Sequence, residues 1–146
     1  MKTVAQLLQS KPNRAVHSVA PDAPVLEAIK LMAQHRIGAL LVMDGERLAG
    51  IITERDYARK VVLMGRSSSD TPVQDIMTAA VLQVGPQQTN EHCMALMTEK
   101  RLRHLPVVEG GKVQGMISIG DLVKDIISEQ QLVIQQLEHY ISGEPR

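Results

Sequence analysis

Gly50-Ile51-Ile52-Thr53-Glu54-Arg55-Asp56 and Gly115-Met116-Ile117-Ser118-Ile119-Gly120-Asp121 follow one pattern: a glycine, two apolar residues, a hydroxyl residue, two variable residues and an aspartate. Each stretch reads as the end of a short apolar strand running directly into a helix. The hydroxyl of Thr53 or Ser118 stands where an N-cap belongs. Asp56 or Asp121 falls at the third helical position, near the positive end of the helix dipole. One such stretch alone asks for no more than capping. Two of them at matching places ask for more. Free N–H groups at a helix start can receive phosphate oxygens, and a carboxylate one turn in can accept both hydroxyls of a ribose.

The two stretches lie within a longer duplication. Residues 16–62 fall on 81–127 without a gap, matching Val16 with Val81, Val19 with Val84 and Pro21 with Pro86. Leu31-Met32 meets Leu96-Met97, Arg36 meets Arg101, Gly45 meets Gly110 and Gly50 meets Gly115. The matches sit on turn glycines and strand positions, which marks a structural repeat.

Each copy reads as βαββα. A short strand, 16–19 or 81–84, ends at proline. A helix follows, with Val25, Ala28, Ile29 and Met32 as its apolar stripe in the first copy and Cys93, Met94 and Met97 in the second. Two apolar strands then flank a glycine turn, 39–43 and 48–52 in one copy, 105–108 and 113–117 in the other. A second helix begins near Glu54 and near Ile119. Residues 66–72 form a polar linker. Val73-Gln74-Asp75-Ile76-Met77 beyond it echoes Val4-Ala5-Gln6-Leu7-Leu8, so each unit gains a short helical lead-in. The expected division is residues 1–65 and 69–146. A unit of about 60 residues buries too little surface to stand alone, and two packed face to face remedy this.

Composition narrows the function. Among 146 residues, 44% are hydrophobic, enough for a core. Sixteen basic residues balance 16 acidic ones, which disfavours a general nucleic-acid binder. Phe and Trp are absent and only Tyr57 and Tyr140 are aromatic, which disfavours base stacking on rings. A bound base would lie among aliphatic side chains and methionines. Cys93 is the only cysteine, so no intrachain disulfide forms, and a cytoplasmic location is expected. Met1 to Pro12 lacks the apolar run of a signal peptide, and no stretch reaches the roughly 18 apolar residues of a membrane span.

Both repeats resemble cystathionine-β-synthase (CBS) domains, on the strength of the doubled Gly-h-h-[Ser/Thr]-x-x-Asp motif (h apolar) and His104-Leu105-Pro106-Val107-Val108 before the second copy. The resemblance covers residues 4–127. Thr53 to Lys60, Gly65 to Ser68 and Asp75 to Thr78 are similar to small bacterial and plant-organelle CBS-pair proteins, as is the tail from Ser118 to Gly143. The resemblance implies an α/β (α+β) fold of tandem repeats packed through their sheets about a pseudo-twofold axis, with a long C-terminal helix and two clefts. It implies a regulatory module, not an enzyme, binding AMP, ADP, ATP, an NAD-type dinucleotide or S-adenosylmethionine. The implied ligand-binding residues are Ser18, Gly38, Ala39, Ile52, Thr53, Arg55 and Asp56 in the first repeat. In the second they are Arg103, His104, Pro106, Ile117, Ser118 and Asp121. Asp56 and Asp121 would hold ribose hydroxyls; Thr53 and Ser118 would approach ribose or phosphate.

The copies are unequal. Arg103-His104 stands where the first repeat has Gly38-Ala39, and in this family basic residues at that point often face phosphate. Arg55, opposite Gly120, is the first cleft's substitute. Unequal sites are therefore expected.

Elsewhere the plainer readings prevail. Cys93 lies on a helix stripe and is expected as a small core residue rather than a redox centre. His17, His35, His92, His104 and His139 show no metal spacing. No nucleophile elbow, zincin pair or P-loop lysine occurs. In the last helix, Ile119, Val123, Ile126, Gln130, Val133, Leu137 and Tyr140 form a stripe, with one polar break at Gln130, that outruns the repeat. It asks for a partner, and a homodimer is expected over folding back on its own chain. The leading function is a ligand sensor acting on an unknown effector protein. The competing one is an interaction module that works through this helix.

Overall fold

The computed structural model describes residues 2–11 and 16–142. Met1, residues 12–15 and residues 143–146, where parts of the expected domain ranges and tail fall, lie outside the described residues. The elements run α1 (Val4–Ser10), β1 (Ser18–Val19), α2 (Val25–His35), β2 (Ala39–Asp44), β3 (Arg47–Thr53) and α3 (Glu54–Tyr57). A π turn, Ala58–Val62, and a 3-10 turn, Val73–Asp75, lead to α4 (Asn90–Lys100), β4 (His104–Glu109), β5 (Lys112–Ser118) and α5 (Ile119–Ser142).

The two hairpins form where apolar runs flank turn glycines. β2 and β3 pair antiparallel, as do β4 and β5, and the register slips at equivalent places, Val42/Met43 and Val107/Val108. Gly110 and Gly111 both take positive φ, which a two-residue hairpin turn of this hand favours. β1 adds parallel to β2. Its counterpart is shorter than expected: residues 81–84 give only an isolated parallel bridge, Val84 to Val107. Val84 N–H donates to Pro106 O at 3.0 Å and Val108 N–H to Val84 O at 2.9 Å, so the strand's place in the repeat is kept.

The lead-ins cross over. Val4 and Leu7 of α1 are buried in the core of the second repeat with Val84, Cys93, Met97, Leu105, Ile117 and Leu122. Val73 and Ile76 are buried in the core of the first with Val25, Met32, Leu40 and Ile52. Each such side chain taken from water contributes about 1.5–3 kcal/mol. The hydrogen bonds repeat as well. Val4 N–H donates to Gln88 O and Ala5 N–H to Pro86 O; Val73 N–H donates to Ala23 O and Gln74 N–H to Pro21 O. The expected second lead-in is thus present, as a 3-10 turn rather than a helix.

A third cluster joins the repeats. Ala39, Leu41 and Ile51 are buried on one face of β2 and β3, packed by Val113 and Met116 of β5 and by Val81. The two sheets therefore meet face to face, and their upper ends frame a cleft. α5 is one continuous helix. Leu122 and Asp125 are buried, whereas every residue from Gln130 to Ser142 is exposed, so it does not fold back over its own chain.

Candidate ligand cleft

The strand-to-helix junctions are built as their residue types require. In the first repeat, Thr53 Oγ1 accepts from Asp56 N–H at 3.1 Å, and Asp56 Oδ2 accepts from Thr53 N–H at 3.0 Å. In the second, Ser118 Oγ accepts from Asp121 N–H at 3.2 Å, and Asp121 Oδ2 accepts from Ser118 N–H at 2.8 Å. These reciprocal bonds satisfy helix N–H groups and fix both carboxylates beside the strand ends. The next N–H is also used alike: Glu54 donates to Gly38 O and Ile119 to Arg103 O.

The glycines of the motif have a separate cause. A Cβ on Gly115 would lie 2.9 Å from Leu8 Cδ2, and one on Gly50 would lie 2.7 Å from Thr78 O. Each glycine makes room for the lead-in crossing from the other repeat.

At the second motif these elements enclose a cavity of about 430 Å³. Ser118 and Asp121 at the start of α5, His104 at the start of β4, and Met116 of β5 form one side. Val16, His17, His35, Arg36, Ile37 and Gly38 of the first repeat line the cavity as well, with Leu8 and Lys11 of the first lead-in. The volume falls within the range of small-molecule sites. At Gly38 a Cβ would stand 3.0 Å from Glu54 Oε1 and in ordinary contact, 3.9 Å, with His104 Cε1.

The cleft is rich in bases. Lys11 Nζ lies 3.1 Å from Asp121 Oδ2 and donates to Met116 O at 2.9 Å. His17 and His35 stack with ring centroids 3.7 Å apart. Burial, and then His35, hold the His17 imidazole below its usual range. Burial likewise lowers His104; Asp121 opposes this, while Lys11 and Arg103 add to it. Arg36 ends α2 in the left-handed conformation, as Arg101 ends α4.

The cavity thus brings together four of the residues singled out from the sequence: Gly38, His104, Ser118 and Asp121. The others stand elsewhere. Ile52 and Ile117 are fully buried in the two cores, and Ala39 is buried in the cluster joining the sheets. Pro106 is buried, with its carbonyl on Val84. Ser18 is exposed and pairs with Leu41, one residue beyond the cleft-lining His17. Arg103 is exposed and contributes its carbonyl to Ile119. Arg55 lines a different groove with Gly38, Glu54 and Tyr57. Thr53 and Asp56 hold the pseudo-symmetric position, where Asp56 Oδ1 is 3.2 Å from Lys60 Nζ. Lys11, His17, His35 and Arg36 were not singled out as ligand contacts, because they carry no common motif. The one available signal was the lead-in echo, which puts Lys11 a turn beyond Leu8.

Cys93 is fully buried, and burial raises its thiol pKa, as suits a core residue. Among the described residues no group of His, Cys, Asp and Glu could hold a metal ion, and no helix is long and apolar enough to cross a membrane.

Comparison with known proteins gives a consistent result. The family model described as CBS domain matches twice, at residues 4–63 and 73–128. The CBS domain-containing protein CBSX3, mitochondrial, of Arabidopsis thaliana is 42% identical over 97% of this chain and 72% of its own length. The solved structure of a CBS-domain protein from Burkholderia ambifaria MC40-6 is 60% identical, with a TM-score of 0.86 over 88% of this chain and 96% of that one. The CBS domain pair of protein MJ0100, solved in complex with 5′-methylthioadenosine and S-adenosyl-L-methionine, shares the fold. Its TM-score is 0.77 at 24% identity, over 88% of this chain and 98% of that one.

Proposed function

The chain belongs to the CBS-domain family, two domains in tandem, and from that premise we propose that it is a sensor that binds an adenosine-containing ligand between its repeats and regulates a partner protein. The observation that carries this reading is the convergence, in one cavity, of Asp121 and Ser118 from one repeat with Ile37 and Gly38 from the other. Adenine lies against Leu8, Val16, Ile37 and Met116, the aliphatic surfaces available in a chain without Phe or Trp. Ribose hydroxyls bond to Asp121, whose Oδ1 has no hydrogen bond among the described residues. His104 faces the 5′ substituent. AMP, ADP, ATP, an NAD-type dinucleotide and S-adenosylmethionine are the candidate ligands. The bound complex of MJ0100 supports an adenosine-class ligand for this fold.

Because the cavity is walled by both repeats and by α1, a ligand that prefers one arrangement of these parts shifts the population toward it. The two clefts are not equivalent. Asp56 is paired to a lysine of its own helical segment, whereas Asp121 is paired to Lys11 from the crossing lead-in. Titration of Asp56→Ala and Asp121→Ala with AMP and S-adenosylmethionine tests the reading. Loss confined to Asp121→Ala supports it; equal loss in both variants removes the inequality, and binding unaffected by either removes the site.

A second reading concerns the partner. Leu132, Val133, Ile134, Leu137 and Ile141 on α5 are each more than half exposed, and a groove lined by Met94, Ile126, Val133 and Ile134 runs beside them. This surface favours a homodimer through α5, with the helix as the module's interaction element.

A further inference from the structure

Resting on the adenosine reading of this cleft, we propose that Lys11 selects a phosphate-bearing adenosine ligand over a sulfonium one, by exchanging Asp121 for the ligand's 5′-phosphate. The geometry is specific to this cleft. Lys11 Nζ sits 3.1 Å from Asp121 Oδ2, with side-chain exposures of 25% and 19%, so the pair is largely shielded from water. The ammonium also donates to Met116 O at 2.9 Å, so the lysine is fixed against the second repeat beside the Asp121 carboxylate. It arrives from the end of α1, outside the motif. In the first repeat the corresponding carboxylate is served by Lys60, four residues on. The residue aligned with Lys60 in the second repeat is Asp125, which points instead to Asn90 Nδ2 at 2.7 Å. The second repeat's own helix therefore supplies no cation at that position, and the lead-in does.

The charge count decides the ligand class. The cavity sets the fixed charges of Lys11 and Arg36 against the single carboxylate of Asp121, while the His17 and His104 imidazoles are held by burial below their ordinary value. Ribose hydroxyls that engage Asp121 compete with Lys11 for the carboxylate and weaken the pairing of an ammonium largely shielded from water, which is costly for any ion removed from water. A 5′-phosphate restores the balance. Lysine suits the exchange, because its flexible stem lets the ammonium leave one anion for another while α1 stays in place. S-Adenosylmethionine brings a sulfonium and an ammonium against one carboxylate and adds to the excess of positive charge. Adenosine offers no charge at all. Specificity here arises as much from what the cleft repels as from what it holds.

Calorimetric titration of the full chain with AMP, adenosine and S-adenosylmethionine tests this, alongside Lys11→Met and Lys11→Arg. The wild type should bind AMP at least about tenfold more tightly than adenosine, the scale of one charge-assisted contact. Lys11→Met should lower that ratio by about tenfold, chiefly through loss of AMP affinity, and Lys11→Arg should retain the preference. Thermal melts of both variants establish that they fold, and Lys11→Gln replaces Lys11→Met if the latter melts early. A ratio unchanged in Lys11→Met, or tighter wild-type binding of S-adenosylmethionine than of AMP, overturns the role of Lys11 while leaving the adenosine site standing. Absence of binding by all three ligands overturns both.

Discussion

Leu8 of the first lead-in rests on Gly115 of the second repeat, its Cδ2 atom 2.9 Å from the point where a Cβ would stand. The same relationship joins Gly50 to Met77 and Thr78 in the first repeat, where the backbone oxygen of Thr78 is closer still at 2.7 Å. The motif glycine is thus a packing requirement set by a segment distant in sequence. Substitution should separate the two sites. Leu8 methyl groups can shift, but Thr78 O is held by the bridge between Ile51 and Thr78. Gly50→Ala should therefore destabilise more than Gly115→Ala, by roughly 1–3 kcal/mol against a smaller loss. Urea unfolding of the two variants checks this, and an equal or reversed order would show that the lead-ins are held less firmly than the geometry requires.

Asn90 and Asp125 form a buried polar pair across α4 and α5, at 2% and 5% exposure. Asn90 Nδ2 donates to Asp125 Oδ2 at 2.7 Å, and Lys2 Nζ is 3.4 Å from Asp125 Oδ1, an ion pair without a hydrogen bond. Removing the amide leaves a buried carboxylate that depends on Lys2 alone. Asn90→Ala should lower the unfolding free energy by about 1–3 kcal/mol, measured by chemical denaturation.

Stability should fall on acidification through the cleft imidazoles. His17 and His104 are both held below the ordinary value of 6.5 in the folded chain. The unfolded chain takes up these protons first, so the stabilising contribution is present above about pH 6.5 and is lost as pH falls through the folded values. Melting temperature should decline between pH 7.5 and 5, and the decline should be shallower in His17→Gln/His104→Gln. An equally steep decline in that double variant would assign the acid sensitivity to other groups.

The exposed end of α5 should matter to assembly and not to folding. Its residues from Gln130 to Ser142 contribute nothing to the three buried clusters. Deleting residues 131–146 should leave the melt of the remaining domain nearly unchanged and should lower the mass in solution from dimer to monomer. A dimer that survives the deletion would place the interface elsewhere.

Much of the architecture was legible because it is local and periodic. The hairpins follow from apolar runs about Gly45 and Gly110, and the junctions follow from Thr53/Asp56 and Ser118/Asp121 as capping pairs. The burial of Cys93 followed from its helix stripe. What escaped was non-local. The echo of Val4–Leu8 in Val73–Met77 signalled a lead-in but not that each crosses to the other repeat, since short apolar segments do not name their partners. Lys11 escaped for the same reason, because nothing in its neighbourhood ties a lone lysine to an aspartate more than a hundred residues away. The cleft's charge became readable only once that crossing was seen.

Ligand binding at the Asp121 cleft is tested by a thermal-shift series on the purified chain with AMP, ADP, ATP, NAD and S-adenosylmethionine, repeated on Asp121→Ala. At about a hundred times its dissociation constant, a ligand adds roughly 2.7 kcal/mol of stability, a shift of several degrees in a domain of this size. Such a shift is expected with an adenosine ligand that carries phosphate, together with its loss in Asp121→Ala. No shift with any of these ligands at millimolar concentration, or a shift that survives in Asp121→Ala, would contradict ligand binding at this cleft.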